Sequence, residues 1–136
     1  MKLSDLELSF EYVGSGRQYE RSAYVRRSTG ETFWRSDYGD EDELPEGFEE
    51  DGDFVEIPHK NDLDLGKDLV WRFVRWKIPD RYHQVQDIFS RRGAYGRYKS
   101  LLERIGLLDE WYEFEATEEK QALLEWCKEN DIEVEV

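Results

Sequence analysis

Cysteine, methionine and proline are scarce in this sequence: one Cys, one Met and three Pro among 136 residues. A lone thiol, Cys127, closes no intramolecular disulfide, which excludes a disulfide scaffold and suits a reducing compartment. No apolar run approaches the ~18 residues of a membrane span, so no membrane partner is expected. Met1 to Phe10 lacks a basic stretch leading into an apolar one, so the expectation is no secretory signal and a cytoplasmic protein. Basic residues are short as well: 19 Lys and Arg face 33 Asp and Glu, for a net charge of −14. Long-range repulsion makes so acidic a chain a poor general binder of phosphate backbones. There is no G-x-S-x-G, no phosphate-cradling glycine loop and no HExxH.

Aromatic residues, by contrast, are abundant: five Trp, eight Tyr and seven Phe. Disordered chains are poor in such residues, so the chain folds despite its charge. Its length is that of one domain and suffices to bury a core, so a single α+β domain over residues 1–136 is expected.

The charge falls in blocks. Residues 1–36 are nearly balanced, with six basic and five acidic. Residues 37–64 hold thirteen acidic and one basic, 65–104 ten basic and four acidic, and 105–136 two basic and eleven acidic. A basic middle is thus flanked by an acidic loop and an acidic C-terminal stretch.

An N-terminal helix is expected. Ser4 and Glu7 have capping-box spacing, Leu3 and Leu8 that of a hydrophobic staple, and Gly14 supplies a stop. Leu6, Phe10 and Val13 then share a face, although Leu6, Leu8, Phe10 and Tyr12 also alternate as in a strand. A hairpin over about 22–35 follows, its strands rich in Tyr, Val, Thr, Phe and Trp and joined through Ser28-Thr29-Gly30. One face is expected to carry Ala23, Val25 and Phe33, the other Tyr24 and Trp34. Residues 37–53, broken by Gly39, Pro45, Gly47 and Gly52, read as an exposed acidic loop. A short strand at 54–57 precedes Pro58.

From Asn61 the period turns helical, predicting a C-terminal array of three to four helices. Leu65, Leu69, Phe73 and Trp76 form the first stripe, Tyr82, Val85, Ile88 and Phe89 the second, Tyr95, Tyr98, Leu102 and Ile105 the third. Leu108, Trp111, Tyr112, Leu123, Trp126 and Cys127 belong to a last helical stretch. Thr117 with Glu118 and Glu119 is a good helix start, so a joint near Ala116-Thr117 fits. Ile132, Val134 and Val136 alternate with Glu, predicting a C-terminal strand at 132–136 that adds an edge to the sheet.

Arg92-Gly93-Ala94-Tyr95-Gly96-Arg97-Tyr98-Lys99 resembles a Gly-Arg-Gly-Ala-Phe-Arg-Arg-Phe-Lys pattern. Leu101-Leu102-Glu103 and Gly106 to Phe114 follow it, with Trp126 and Asn130 closing the set and Thr29-Gly30-Glu31 upstream. Together these resemble a bacterial family known as uncharacterised protein family zero-one-five-eight, over about residues 23–132. The chain departs from the pattern at Arg91 and Gly96, where Gly and Arg are expected. The resemblance implies an α+β bacterial cytoplasmic protein and brings no activity, substrate or cofactor.

The candidate binding residues are Arg91, Arg92, Tyr95, Arg97, Tyr98 and Lys99. Arginines that meet phosphates beside tyrosines that stack on bases are what single-stranded nucleic acid requires. Amphipathic packing accounts for the same tyrosine spacing, and Arg91 and Arg92 then sit well at a helix C-terminus. The acidic loop lacks the ligand spacing and glycine of a calcium loop, so no metal or cofactor is expected. His59 and His83 have no metal-ligand companions and are expected at the surface; Cys127 is expected to be a small buried apolar group. No catalytic constellation is visible, so an enzyme is not expected. Trp71 and Trp76 are five residues apart, a turn of ~500°, so they face different ways and one is available to a partner. The expected function is a non-enzymatic protein-interaction domain with an unknown protein partner, using its basic-aromatic helices. The alternative is a nucleic-acid-binding regulator whose basic surface is partly masked by the acidic loop or the acidic C-terminal stretch.

Overall fold

A computed structural model describes residues 1–17, 20–36 and 44–136. The chain divides into two units, Met1–Leu63 with Gln121–Val136, and Asp64–Lys120.

Unit 1 begins with helix α1, Leu3–Gly14. Leu3, Leu6, Phe10 and Val13 recur at three- and four-residue steps and are all buried, which is why this segment is a helix and not an alternating strand. Strands β1 (Arg21–Arg26), β2 (Thr32–Ser36) and β3 (Phe54–Glu56) form an antiparallel sheet in the order β2-β1-β3. The hairpin turn needs Gly30: its φ is +76°, and a Cβ there would lie 2.8 Å from the Met1 amine nitrogen.

The expected capping box does not form. The helix starts ahead of Ser4, so Ser4 lies inside the first turn and the N-cap is Lys2, whose ammonium has no acceptor to cap with; the Leu3 N–H bonds the Glu135 carbonyl at 2.8 Å instead. Leu8 is exposed, so there is no staple either. The expected division of the hairpin faces is also overturned. Ala23 pairs with Trp34, Tyr24 with Phe33 and Val25 with Thr32, and directly opposed residues share a face. Ala23, Val25 and Trp34 therefore lie together against α1, where Trp34 Nε1 donates to Ser9 Oγ at 2.9 Å and the indole stacks on Tyr12 at 4.4 Å. Tyr24, Phe33 and Phe54 line the other face with Phe48, which sits in a 3-10 turn at Phe48–Glu50. That turn belongs to the acidic loop. Of the loop, residues 37–43 lie outside the described residues, and 46–53 are mostly exposed apart from Phe48.

The C-terminal strand is reduced to a single parallel bridge between Lys2 and Glu135. Ile132 is buried, but Val136 is 82% exposed. The tail cannot extend the sheet because its carbonyl and N–H at Glu135 are spent on the Leu3 N–H and the Met1 carbonyl.

Unit 2 holds helices α2 (Lys67–Lys77), α3 (Tyr82–Phe89) and α4 (Ala94–Arg104). Helix α5, Leu108–Glu129, contributes its residues up to Lys120 here and the remainder to unit 1. No joint interrupts it: Thr117 continues the helix instead of starting one. The first helix starts at Lys67, later than the periodicity suggests, because Asp64 takes a left-handed φ of 56° after a 3-10 turn at Lys60–Leu63. Leu69, Phe73, Val74, Val85, Tyr98, Leu102 and Trp111 are among the core residues of unit 2. Trp111 is its centre, with Phe73 at 5.4 Å and Tyr98 at 5.1 Å, both edge-on, an arrangement that ring quadrupoles favour. Among the described residues no helix is long and apolar enough to cross a membrane.

Candidate functional site

The segment singled out in the sequence begins at the α3–α4 corner. Gly93, at φ 71°, caps α4 in the left-handed conformation. Arg91, Arg92 and Arg97 are exposed. Arg91 lies 3.9 Å from Asp87, one turn earlier, and among the described residues Arg92 and Arg97 form no ion pair. Lys99 holds its ammonium 5.4 Å from the Tyr112 ring centroid. The two tyrosines part company. Tyr95 is 38% exposed and meets Phe89 edge-on at 5.1 Å. Tyr98 is fully buried between Phe89 and Trp111. Burial, with smaller effects from Glu115 and Tyr95, drives the Tyr98 phenol far above its ordinary range; burial also raises that of Tyr95. Tyr98 is a core side chain and offers no ring to a ligand, so the corner presents arginines with one partly covered ring.

The field around it is not basic. Helix α5 returns acidic residues to unit 2, where Arg72 meets Glu118 at 3.2 Å and Lys77 meets Glu110 at 3.2 Å. These pairs realise the expected approach of the acidic C-terminal stretch to the basic helices; the loop residues Asp40 to Glu43 lie outside the described residues. Unit 2 carries as many acidic as basic residues, and the net −14 resides on unit 1.

A concave feature of unit 2 lies between the end of α2 and the first half of α5. It is a groove of about 580 Å3 lined by Trp76, Lys77, Glu110, Glu113, Phe114 and Glu118, with Thr117. On α5 these residues fall at steps of three and four, so they share one face. Trp76 is 63% exposed. Its ring rests on Phe114 at 5.9 Å and edge-on against Phe73 at 6.2 Å, which fixes it at the rim. Lys77 Nζ lies 4.1 Å from the Trp76 ring centroid while it pairs with Glu110. Sequence periodicity placed Trp76 on the buried stripe of its helix. The stripe holds as far as Phe73 and Val74, after which the helix outruns its core. Trp71 is the half-buried one of the pair, packed on Tyr82 and Phe89.

Unit 1 has a smaller cavity, about 250 Å3, whose polar lining is Arg21, Ser22, Glu56, His59 and Asp62. His59 was expected at the surface and is buried instead. The cause is local. Its N–H donates to Asp62 Oδ2 at 3.0 Å, and its Nδ1 accepts the Asn61 N–H at 3.1 Å, which turns the ring inward. Burial, then the nearby Lys60, lowers the imidazole pKa. His83 is exposed. Cys127 is buried as expected, and burial raises its thiol pKa, away from reactivity. Among the described residues no three His, Cys, Asp or Glu side chains converge where a metal ion could be held.

The architecture is thus that of an α+β protein with an aromatic groove on its helical unit. The chain belongs to the Uncharacterised protein family (UPF0158), whose model matches residues 11–136. No curated protein and no solved structure matches it.

Proposed function

We propose that this chain is a non-enzymatic, cytoplasmic protein-interaction domain whose contact surface is the Trp76 groove of unit 2. One observation carries the reading. Trp76 stands 63% exposed at the rim of a groove, whereas Trp111 and Trp126 of the same chain are buried. An indole left in water costs solvation, and protein interfaces recover that cost by seating Trp in a partner's pocket. The basic-aromatic segment Arg91 to Lys99 is secondary in this reading: its one fully packed ring, Tyr98, belongs to the core.

Nucleic-acid binding is the competing reading. It is favoured by Arg92 and Arg97, which are exposed and form no ion pair among the described residues. It is opposed by the lack of net positive charge on unit 2 and by the burial of Tyr98, which removes one of the segment's two rings from stacking. A photo-crosslinking residue placed at position 76 or 113, and separately at 92 or 97, tests the two inside cells. Discrete protein adducts from 76 and 113, absent from 92 and 97, support the groove. Nucleic-acid adducts from 92 and 97 with none from the groove overturn it.

A further inference from the structure

The chemistry of the groove's occupant follows from what already sits there; the inference rests on the groove reading above. The groove has an aromatic floor of Trp76 and Phe114 and three carboxylates, Glu110, Glu113 and Glu118. Two of these are committed within the chain, Glu110 to Lys77 and Glu118 to Arg72. Glu113 is exposed and forms no ion pair among the described residues. The groove therefore has one carboxylate to spare and no cation to spare.

The Lys77 ammonium lies 4.1 Å from the centre of the Trp76 ring and 3.2 Å from Glu110 Oε2. An ammonium held between an indole face and a carboxylate is the arrangement by which proteins recognise lysine side chains. Lys77 is the last residue of α2 and is exposed. Its ion pair lies at the surface, where such pairs are weak and readily exchanged. We propose that the groove takes a protein segment presenting a lysine ammonium beside an apolar side chain, and that Lys77 occupies the ammonium position until the partner displaces it. The partner's apolar side chain covers Phe114 and Trp76, and its ammonium takes the indole face with Glu110 or the free Glu113. An acidic segment would meet three carboxylates, and a purely apolar one would leave Glu113 without a cation.

The test uses the full chain and a short labelled peptide carrying Leu and two Lys among Gly and Ser, with a twin in which both lysines are acetylated. Fluorescence anisotropy gives the two affinities. The lysine peptide should bind about tenfold tighter than its acetylated twin, the scale of a desolvated cation over an indole. Trp76→Ala and Glu113→Gln should each weaken it several-fold. Lys77→Ala should tighten it more than Lys67→Ala, which removes the same charge elsewhere on unit 2. Circular dichroism melts of each variant establish that it is folded, and Trp76→Phe provides a milder loss on the same ring. If both peptides bind alike but Trp76→Ala abolishes both, the groove stands and the ammonium is refuted. If the lysine peptide binds the parent and Trp76→Ala equally, attraction to the acidic chain is the whole effect and the groove itself is refuted. Equal effects of Lys77→Ala and Lys67→Ala refute the displacement.

Discussion

Replacing Tyr98 by Phe should leave the protein as stable as before or more so, even though the side chain is fully buried. The phenol lies in the core of unit 2 and its oxygen has no hydrogen-bond partner among the described residues. A buried hydroxyl that has given up water without replacement costs about 1–3 kcal/mol. Against this, Phe forfeits only the dispersion of one oxygen, while the edge-on contacts with Phe89 and Trp111 survive. The expected net gain is about 0–2 kcal/mol, and Phe is also the residue in the pattern that this segment resembles. Tyr98→Ala, by comparison, should lose about 3–5 kcal/mol through the cavity it opens. Urea denaturation followed by circular dichroism measures both. The pH dependence supplies a second signature. Burial raises the phenol's pKa above its ordinary 10.0, so above that pH the unfolded chain releases a proton that the native chain retains. The stability attached to that proton is present below pH 10 and is lost as pH rises. Phe has no proton to release, so its advantage should widen by about 1.4 kcal/mol per pH unit above 10. A Tyr98→Phe variant that loses more than about 1 kcal/mol at pH 8 would show that the hydroxyl is well bonded. A gap that stays constant from pH 10 to 11.5 would show that the phenol is not held neutral by burial.

Gly96 lies inside α4, is exposed, and leaves open space where a Cβ would stand. Gly96→Ala should raise stability by about 0.8–1 kcal/mol in the same denaturation assay, and no gain would mean that α4 is strained there. His59 is buried with its Nδ1 accepting an N–H, and its pKa is depressed below 6.5. The native state therefore prefers the neutral ring, and the stability this confers holds above pH 6.5 and is lost as pH falls. A His59→Asn variant should melt with a flatter acid limb between pH 7 and 5; parallel limbs in parent and variant would refute the assignment.

Period and turn chemistry made most elements of the fold legible: the N-terminal helix, the hairpin, the short third strand and the helical array. What they could not supply was decided between segments distant in the chain. The hairpin's alternation marked its strands, but the faces depended on register. The turn closes with the Arg26 N–H on the Glu31 carbonyl at 2.8 Å, which sets Ala23 opposite Trp34. A one-residue error in that closure exchanges every side chain between faces. The capping box failed because the helix starts ahead of Ser4, at Leu3, whose N–H is satisfied by Glu135 from the far end of the chain. His59 looked like a surface histidine because its inward turn rests on two local hydrogen bonds that composition does not announce.

The candidate site was legible only in part, and charge shows why. Counted along the chain, residues 65–104 carry ten basic and four acidic side chains and suggest a surface for phosphates. In the folded chain that segment shares its unit with the first half of α5. The carboxylates of α5 bring the unit to neutrality and tie down Arg72 and Lys77. A partner meets the field of the folded unit, screened over ~8–10 Å, and not a running sum along the sequence. The same α5 face that cancels the basic charge supplies Glu113 and Phe114 to the groove beside Trp76. One helix thus removes the electrostatic basis for a nucleic-acid surface and builds an aromatic, carboxylate-lined groove in its place. In the proposed reading the functional weight therefore passes from Arg91 and its neighbours to the junction of α2 and α5.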